Sequence, residues 1–240
     1  MLSKKLIKDI QSLGHKKSRD ESGFFIAEGP KIINELLDTI PEEVESMYAT
    51  EDWVAKYSGN KNVTVISDVE LQRISSLNTP NQVVAIVKQF IAYEPADYSF
   101  VIYLDTIQDP GNFGTIIRIA DWFGISHIVC SPGCADRYNP KVVQATMASI
   151  ARVNVFYDEN RTWLQKQRKD IYAATLEGTS VFEESKTGSG ILMIGNESKG
   201  LSDDLMKLAT RKITIPRKGN AESLNAAVAT GIILSHLLST

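Results

Sequence analysis

Phe100-Val101-Ile102-Tyr103-Leu104 is an unbroken run of five apolar residues, and Asp105-Thr106-Ile107-Gln108-Asp109-Pro110-Gly111-Asn112-Phe113-Gly114-Thr115-Ile116-Ile117-Arg118 follows it directly. The run reads as a strand. The Pro- and Gly-containing turn after it opens a helix expected over 112–123. The same alternation continues downstream. Strands are expected over 127–130, 153–156, 171–174, 191–194 and 212–215, with helices over 140–149, 158–168, 201–209 and from Ser223 to the end. Alternation of this kind predicts an α/β fold with a mostly parallel sheet and helices on both faces. In such sheets ligands sit beyond the carboxyl ends of the strands, so the loops after the strands decide the chemistry.

Upstream of residue 100, the chain reads as a small α/β unit. Leu2, Leu6, Ile10 and Leu13 recur at helical spacing. Residues 24–27, 44–49, 63–66 and 83–87 are strand-like, Gly29-Pro30 opens a helix carrying Ile32, Ile33, Leu36 and Leu37, and Ser67 is a natural N-cap. Tyr93-Glu94-Pro95-Ala96-Asp97-Tyr98-Ser99 breaks the pattern and reads as a linker. This gives an N-terminal domain over 1–93 and a C-terminal domain over 98–240.

The formal net charge is −3, so the whole-chain charge does not announce nucleic-acid binding. The first 19 residues do carry a local basic excess: Lys4, Lys5, Lys8, Lys16, Lys17 and Arg19 against Asp9. It suits phosphates, and equally a solvated helix face. The two cysteines, Cys130 and Cys134, are too few for a disulfide framework, and with His127 they lack a fourth ligand for zinc. Cys130 reads as the small buried end of a strand. No metal is expected. No apolar stretch is long enough to cross a bilayer, and a cytoplasmic location is expected.

Three polar loops follow strands. In the first, Asn112 reads either as a helix cap or as a site residue, and Arg118 either as a partner to an acid or as a site cation. The second is Gly195-Asn196-Glu197-Ser198-Lys199-Gly200-Leu201-Ser202. It fails as a phosphate-binding P-loop because Leu201 replaces the lysine, and as a nucleophile elbow because Asn196 replaces the first glycine. The third is Pro216-Arg217-Lys218-Gly219-Asn220-Ala221-Glu222-Ser223-Leu224-Asn225, leading into a helix that is apolar around much of its circumference. Such a helix is buried in a core or against another subunit. Ser223 is the expected cap.

Together the loops resemble the three motifs of SpoU/TrmH RNA methyltransferases of the SPOUT superfamily: Asp109-Pro110-x-Asn112-x-Gly114-x3-Arg118, Gly195-x-Glu197-x2-Gly200-Leu201, and Ile215-Pro216 followed by Ser223-Leu224-Asn225-x2-Val228-Ala229. The N-terminal stretch through Lys17-Ser18-Arg19 and Phe24-Phe25-Ile26-Ala27-Glu28-Gly29 resembles the RNA-binding domain, of ribosomal-protein-like fold, that precedes this catalytic domain. The resemblance implies a deep C-terminal trefoil knot and a homodimer whose sites draw on both subunits. It implies S-adenosylmethionine as methyl donor and a ribose 2′-hydroxyl of structured RNA as acceptor, ribosomal RNA ahead of transfer RNA. Its catalytic set is Arg118, Asn112, Glu197, Ser223 and Asn225. The donor's contacts are expected at Thr175, Leu176, Gly178, Gly195, Ile215, Leu224 and Asn225. RNA contacts are expected at Lys4, Lys5, Lys16, Lys17, Arg19, Arg217 and Lys218. Arg217 and Lys218 stand where the family has smaller or apolar residues, and Ala227 stands where relatives often have serine. A non-catalytic RNA-binding protein on the same fold, and a base methyltransferase of the same superfamily, are the alternatives.

Overall fold

The computed structural model describes residues 1–57, 59 and 63–239. It separates into two compact units: Met1–Ile91 with Asp136–Ala151, and Ala92–Ala135 with Arg152 onward.

The first unit contains α1 (Lys4–Ser12), α2 (Lys16–Ser22), β1 (Phe24–Glu28), α3 (Pro30–Thr39), β2 (Val44–Ala49), α4 (Glu51–Val54), β3 (Val63–Val65), α5 (Asp68–Ile74) and β4 (Val83–Lys88). The sheet order is β1-β4-β2-β3, antiparallel except for the β2–β3 pair. Successive side chains on a strand face opposite sides, so each strand supplies two cores. Phe25, Ala27, Met47, Ala49, Val83, Ala85 and Val87 meet α3 on one face. Ile26, Tyr48 and Val84 meet Ile10, Leu13, Leu71 and Ile74 of α1, α5 and the turn after α1 on the other. Ser67 caps α5 through a full capping box with Glu70.

Two expectations are corrected here. The stretch 136–151 was assigned to the C-terminal domain. Its Tyr138, Val143, Ala148 and Ile150 instead join the α3 face of the first unit, and Tyr138 stacks on Phe25 with ring centroids 4.7 Å apart. Alternation along the chain cannot show which unit an apolar stretch will enter. Arg19 was expected on an RNA-binding surface. It is only 2% exposed, donates to the Leu13 carbonyl at 2.8 Å and pairs with Asp136. A buried guanidinium needs such partners, and losing one costs about 3–5 kcal/mol. Arg19 is therefore structural.

The second unit holds β5 (Phe100–Leu104), α6 (Pro110–Trp122), β6 (His127–Cys130), β7 (Asn154–Tyr157), β8 (Ile171–Ser180), β9 (Gly190–Ile194), α8 (Asp203–Met206), β10 (Arg211–Thr214) and α9 (Ala226–Leu237); α7 (Pro140–Thr146), which precedes β7 in the chain, belongs to the first unit. All six strands are parallel, in the order β10-β8-β9-β5-β6-β7. Every residue of β5, β6 and β9 is buried, as expected for central parallel strands, and Cys130 ends β6 without exposure. Val101, Tyr103, Val129, Ile191 and Met193 point to one face, with Trp163 and Leu164. On α6, Phe113, Ile116, Ile117 and Ala120 are buried, and α6 packs on α9.

The expected helix over 158–168 does not form. The Asp158 carboxylate accepts the backbone N–H groups of Thr162 at 3.1 Å and Trp163 at 2.8 Å, which turns the chain and leaves one 3-10 turn, Leu164–Lys166. The helix expected over 201–209 shrinks to α8. The terminal helix begins at Ala226 rather than Ser223, and Thr240 lies outside the described residues.

Candidate active site

The three polar loops meet at the carboxyl end of the sheet because β5 and β9 are neighbours at its centre. The chain leaves β5 toward β6 and β7, and returns through β8 to β9 on the other side. This reversal of strand order is where open parallel sheets form their crevice.

Asp109 caps α6 by accepting the Asn112 N–H at 2.7 Å, which frees the Asn112 side chain. Asn225 caps α9: its Oδ1 accepts the N–H groups of Ala227 at 3.0 Å and Val228 at 3.2 Å. That duty fixes the orientation of the amide, so its Nδ2 faces away from the helix and donates to Asn112 Oδ1 at 2.7 Å. Asn112 must then present its own Nδ2 outward, and this donates to Glu197 Oε1 at 2.8 Å. One residue from each loop is thus joined in a chain with a single donor direction, ending on a carboxylate.

Asn196 holds the second loop. Its Nδ2 donates to the Thr106 carbonyl at 2.8 Å, while its Oδ1 accepts the N–H groups of Ser198 at 3.0 Å and Lys199 at 3.1 Å. Gly195 has no room for a side chain: a Cβ there would lie 2.3 Å from the Gly200 carbonyl carbon. The loop closes on itself through Asn196 and Gly200, whose backbones exchange hydrogen bonds of 3.0 and 2.9 Å.

The segment expected as a loop after residue 174 lies within β8, but its pairing with β10 is interrupted. Lys212 faces Ala173 and Ile213 faces Thr179, so 174–178 bulge from the ladder. Gly178 allows this, since a Cβ there would meet the Lys212 carbonyl oxygen at 2.6 Å. Leu176 on the bulge is 75% exposed and Leu224 on the third loop 49%. The Thr175 hydroxyl is engaged with the Glu177 carbonyl at 2.7 Å. Ile215 directly follows β10 and is half-buried.

Arg118 and Ser223 stand outside the network. Arg118 is exposed on the α6 face that also carries Thr115 and Trp122, the latter 85% exposed. Among the described residues nothing bonds to it. Ser223 is exposed and does not cap, because Asn225 does so two residues later. Arg217 donates to the Ala221 carbonyl at 3.1 Å, and Lys218 is exposed. In the first unit Lys4, Lys5, Lys16 and Lys17 are exposed, with Lys16 2.6 Å from Asp20 and Lys17 3.8 Å from Glu21. Sequence reading missed Asp105, Ser131, Asn196 and Ser202, all of which shape the loops; Asp105 directly after an apolar strand was the one available signal.

A profile of the SpoU rRNA methylase family matches residues 99–235, the part of the chain that holds the sheet and all three loops. The chain belongs to the SpoU rRNA methylase family. A second profile, the MRM3-like substrate binding domain, matches residues 4–85. Among relatives, the Bacillus subtilis 23S rRNA (guanosine(2553)-2′-O)-methyltransferase is 27% identical, over 96% of this chain and 95% of its own. A Porphyromonas gingivalis protein assigned to the TrmH family of RNA methyltransferases has a similar structure, at 35% identity and TM-score 0.88, with 99% of this chain and 98% of that one covered. The AdoMet-bound rRNA methyltransferase of Sinorhizobium meliloti matches at 30% identity and TM-score 0.85, covering 99% and 95%. For a SpoU chain, the Asn225–Asn112–Glu197 relay joins the family's three motif loops, while its motif arginine lies apart.

Proposed function

We propose that this SpoU protein transfers a methyl group from S-adenosylmethionine to a ribose 2′-hydroxyl of ribosomal RNA. The observation that carries this reading is the hydrogen-bonded chain Asn225–Asn112–Glu197, which orders three separate motif loops at the carboxyl end of β5 and β9. The relatives named above for 23S rRNA 2′-O-methylation and for bound AdoMet support it.

The residues present suit the donor. Leu176 and Leu224 offer exposed apolar surface for a planar base, the β8 bulge takes residues 174–178 out of the ladder with β10, and Gly195 lets the backbone approach closely. With Thr175, Gly178, Ile215 and Asn225, these would hold it. Bound there, it supplies a methyl carbon already activated by sulfonium. The 2′-oxygen attacks that carbon, the carbon–sulfur bond breaks, and the hydroxyl proton must leave. The protein's work is therefore mainly orientation, which supplies several kcal/mol. Glu197, held by Asn112, orients a ribose hydroxyl. Arg118 anchors the neighbouring phosphate and stabilises the developing alkoxide as a cation. A guanidinium offers five N–H donors and no acceptor and is not a general base, so a substrate phosphate or water takes the proton.

The same reading makes the enzyme a homodimer with sites completed across the interface. Arg118, which no described residue bonds, exposed Trp122 and Val228, and the apolar circumference of α9 support it. It includes the deep C-terminal trefoil knot that the resemblance to SpoU/TrmH methyltransferases implies. It makes the first unit a ribosomal-protein-like RNA-binding domain using Lys4, Lys5, Lys16 and Lys17, with Arg217 and Lys218 as further phosphate contacts. It places the enzyme in the cytoplasm.

Calorimetric titration with S-adenosylhomocysteine tests the donor site. Micromolar or tighter binding is expected. Absence of binding both alone and with RNA present refutes the enzymatic reading.

A further inference from the structure

A second set of polar groups lies behind the site, and none belongs to the family motifs quoted above. Asp105, 1% exposed, sits at the carboxyl end of β5. Its Oδ2 accepts the Ser202 N–H at 2.8 Å, at the far end of the second loop. Its Oδ1 accepts from Ser131 Oγ at 2.9 Å, and Arg161 stands 3.7 Å away as counter-charge. Ser131 Oγ in turn accepts the Thr106 N–H at 3.0 Å. Thr106 has φ 53, a left-handed conformation that a β-branched residue takes only when it is over-determined. It is held from both sides, its N–H by Ser131 and its carbonyl by Asn196 Nδ2 at 2.8 Å. Asn196 is the residue before Glu197, and Asn112 lies on the continuation of the Thr106 loop.

We infer that Asp105 is a positioning residue for methyl transfer, acting through Ser131, Thr106 and Asn196 to fix Glu197 against Asn112. The inference rests on the enzymatic reading above. The carboxylate ties the first and second loops at points separated by 97 residues of sequence. It touches neither the three-residue relay nor the residues assigned to the donor, so its loss reaches the chemistry only through geometry. A misplacement of about 1 Å at a reacting group costs on the order of 100-fold in rate.

The test is Asp105→Asn, which keeps the shape and an acceptor for Ser202 but removes the charge. Transfer of tritiated methyl to RNA should fall at least tenfold in kcat, with the affinity for S-adenosylhomocysteine unchanged within about twofold. The same substitution in a Glu197→Gln background should lower kcat no further, because both changes act on one group. Equal fold-losses in the two backgrounds, or an unchanged kcat, overturn the inference. Should Asp105→Asn fail to fold, Ser131→Ala cuts the tie to Thr106 while leaving the charge paired, and the same split is expected. Amide hydrogen exchange gives a reading independent of activity: segments 105–113 and 196–202 should exchange faster in the variant, with β6 and β7 unchanged. Uniform acceleration across the unit makes Asp105 merely structural. A wild-type protein that methylates no RNA refutes the enzymatic reading, and the exchange comparison then decides the tie by itself.

Discussion

Two faces of helix α6 differ in kind. The face with Asn112 is finished: the side chain has a donor on one side, Asn225, and an acceptor on the other, Glu197. The face with Arg118 is unfinished, with an exposed cation between Thr115 and an 85%-exposed tryptophan and no bond from any described residue. What differs is where each face finds its partners. Asn112 finds them within the chain, and Arg118 finds none among the described residues.

Arg118→Ala should break the comparison most severely. About a 1000-fold loss in kcat, roughly 4 kcal/mol of barrier, is expected for removing the charge that meets the developing alkoxide. Thermal unfolding should not change, since no described residue bonds to it. Arg118→Lys that retains full activity would show that the planar fork is not needed. On the other face, Glu197→Gln should cost about 100-fold in transfer, again with little change in stability for an exposed side chain. Asn225→Ala should combine both readouts. Losing a helix cap costs about 1 kcal/mol, which lowers the melting temperature by roughly 2–4 °C, and loss of the bond to Asn112 should cut transfer about tenfold. Ser223→Ala should be the smallest. Its stability should stay within about 0.5 kcal/mol, because Asn225 and not Ser223 caps α9. A larger drop in stability would return the capping role to Ser223.

Much of this architecture was legible before any coordinates. From residue 100 onward strand-like runs alternate with helical patterns, and that alternation states a mostly parallel sheet, which the six parallel strands bear out. The segment 158–168 misled because Asp158 is a natural N-cap and Leu164, Gln165, Lys166, Gln167 and Arg168 are good helix formers. Asp158 spends its carboxylate on the backbone of Thr162 and Trp163, a local competition that periodicity does not register. Arg19 looked like its basic neighbours, and only the placement of Asp136, distant in sequence, distinguishes it. In the site, the motif residues were legible by type and order, and the structure joins three of them. Asp105 and Asn196 were not, since each works through backbone groups of another loop, and no local pattern encodes a hydrogen bond across 97 residues. Ser223 and Asn225 are both good capping residues, and sequence alone favoured the wrong one.

The most direct measurement is the fate of a tritiated methyl group. Purified protein is incubated with labelled S-adenosylmethionine and a 23S rRNA transcript, and the RNA is then hydrolysed in alkali. A 2′-O-methyl group removes the hydroxyl that alkali needs to cleave the adjacent phosphodiester. The account predicts label in alkali-resistant dinucleotides, abolished by Arg118→Ala. Label in mononucleotides would mean transfer to a base, and no label in RNA would mean that the ordered loops serve no methyl transfer to this substrate; either result contradicts the account.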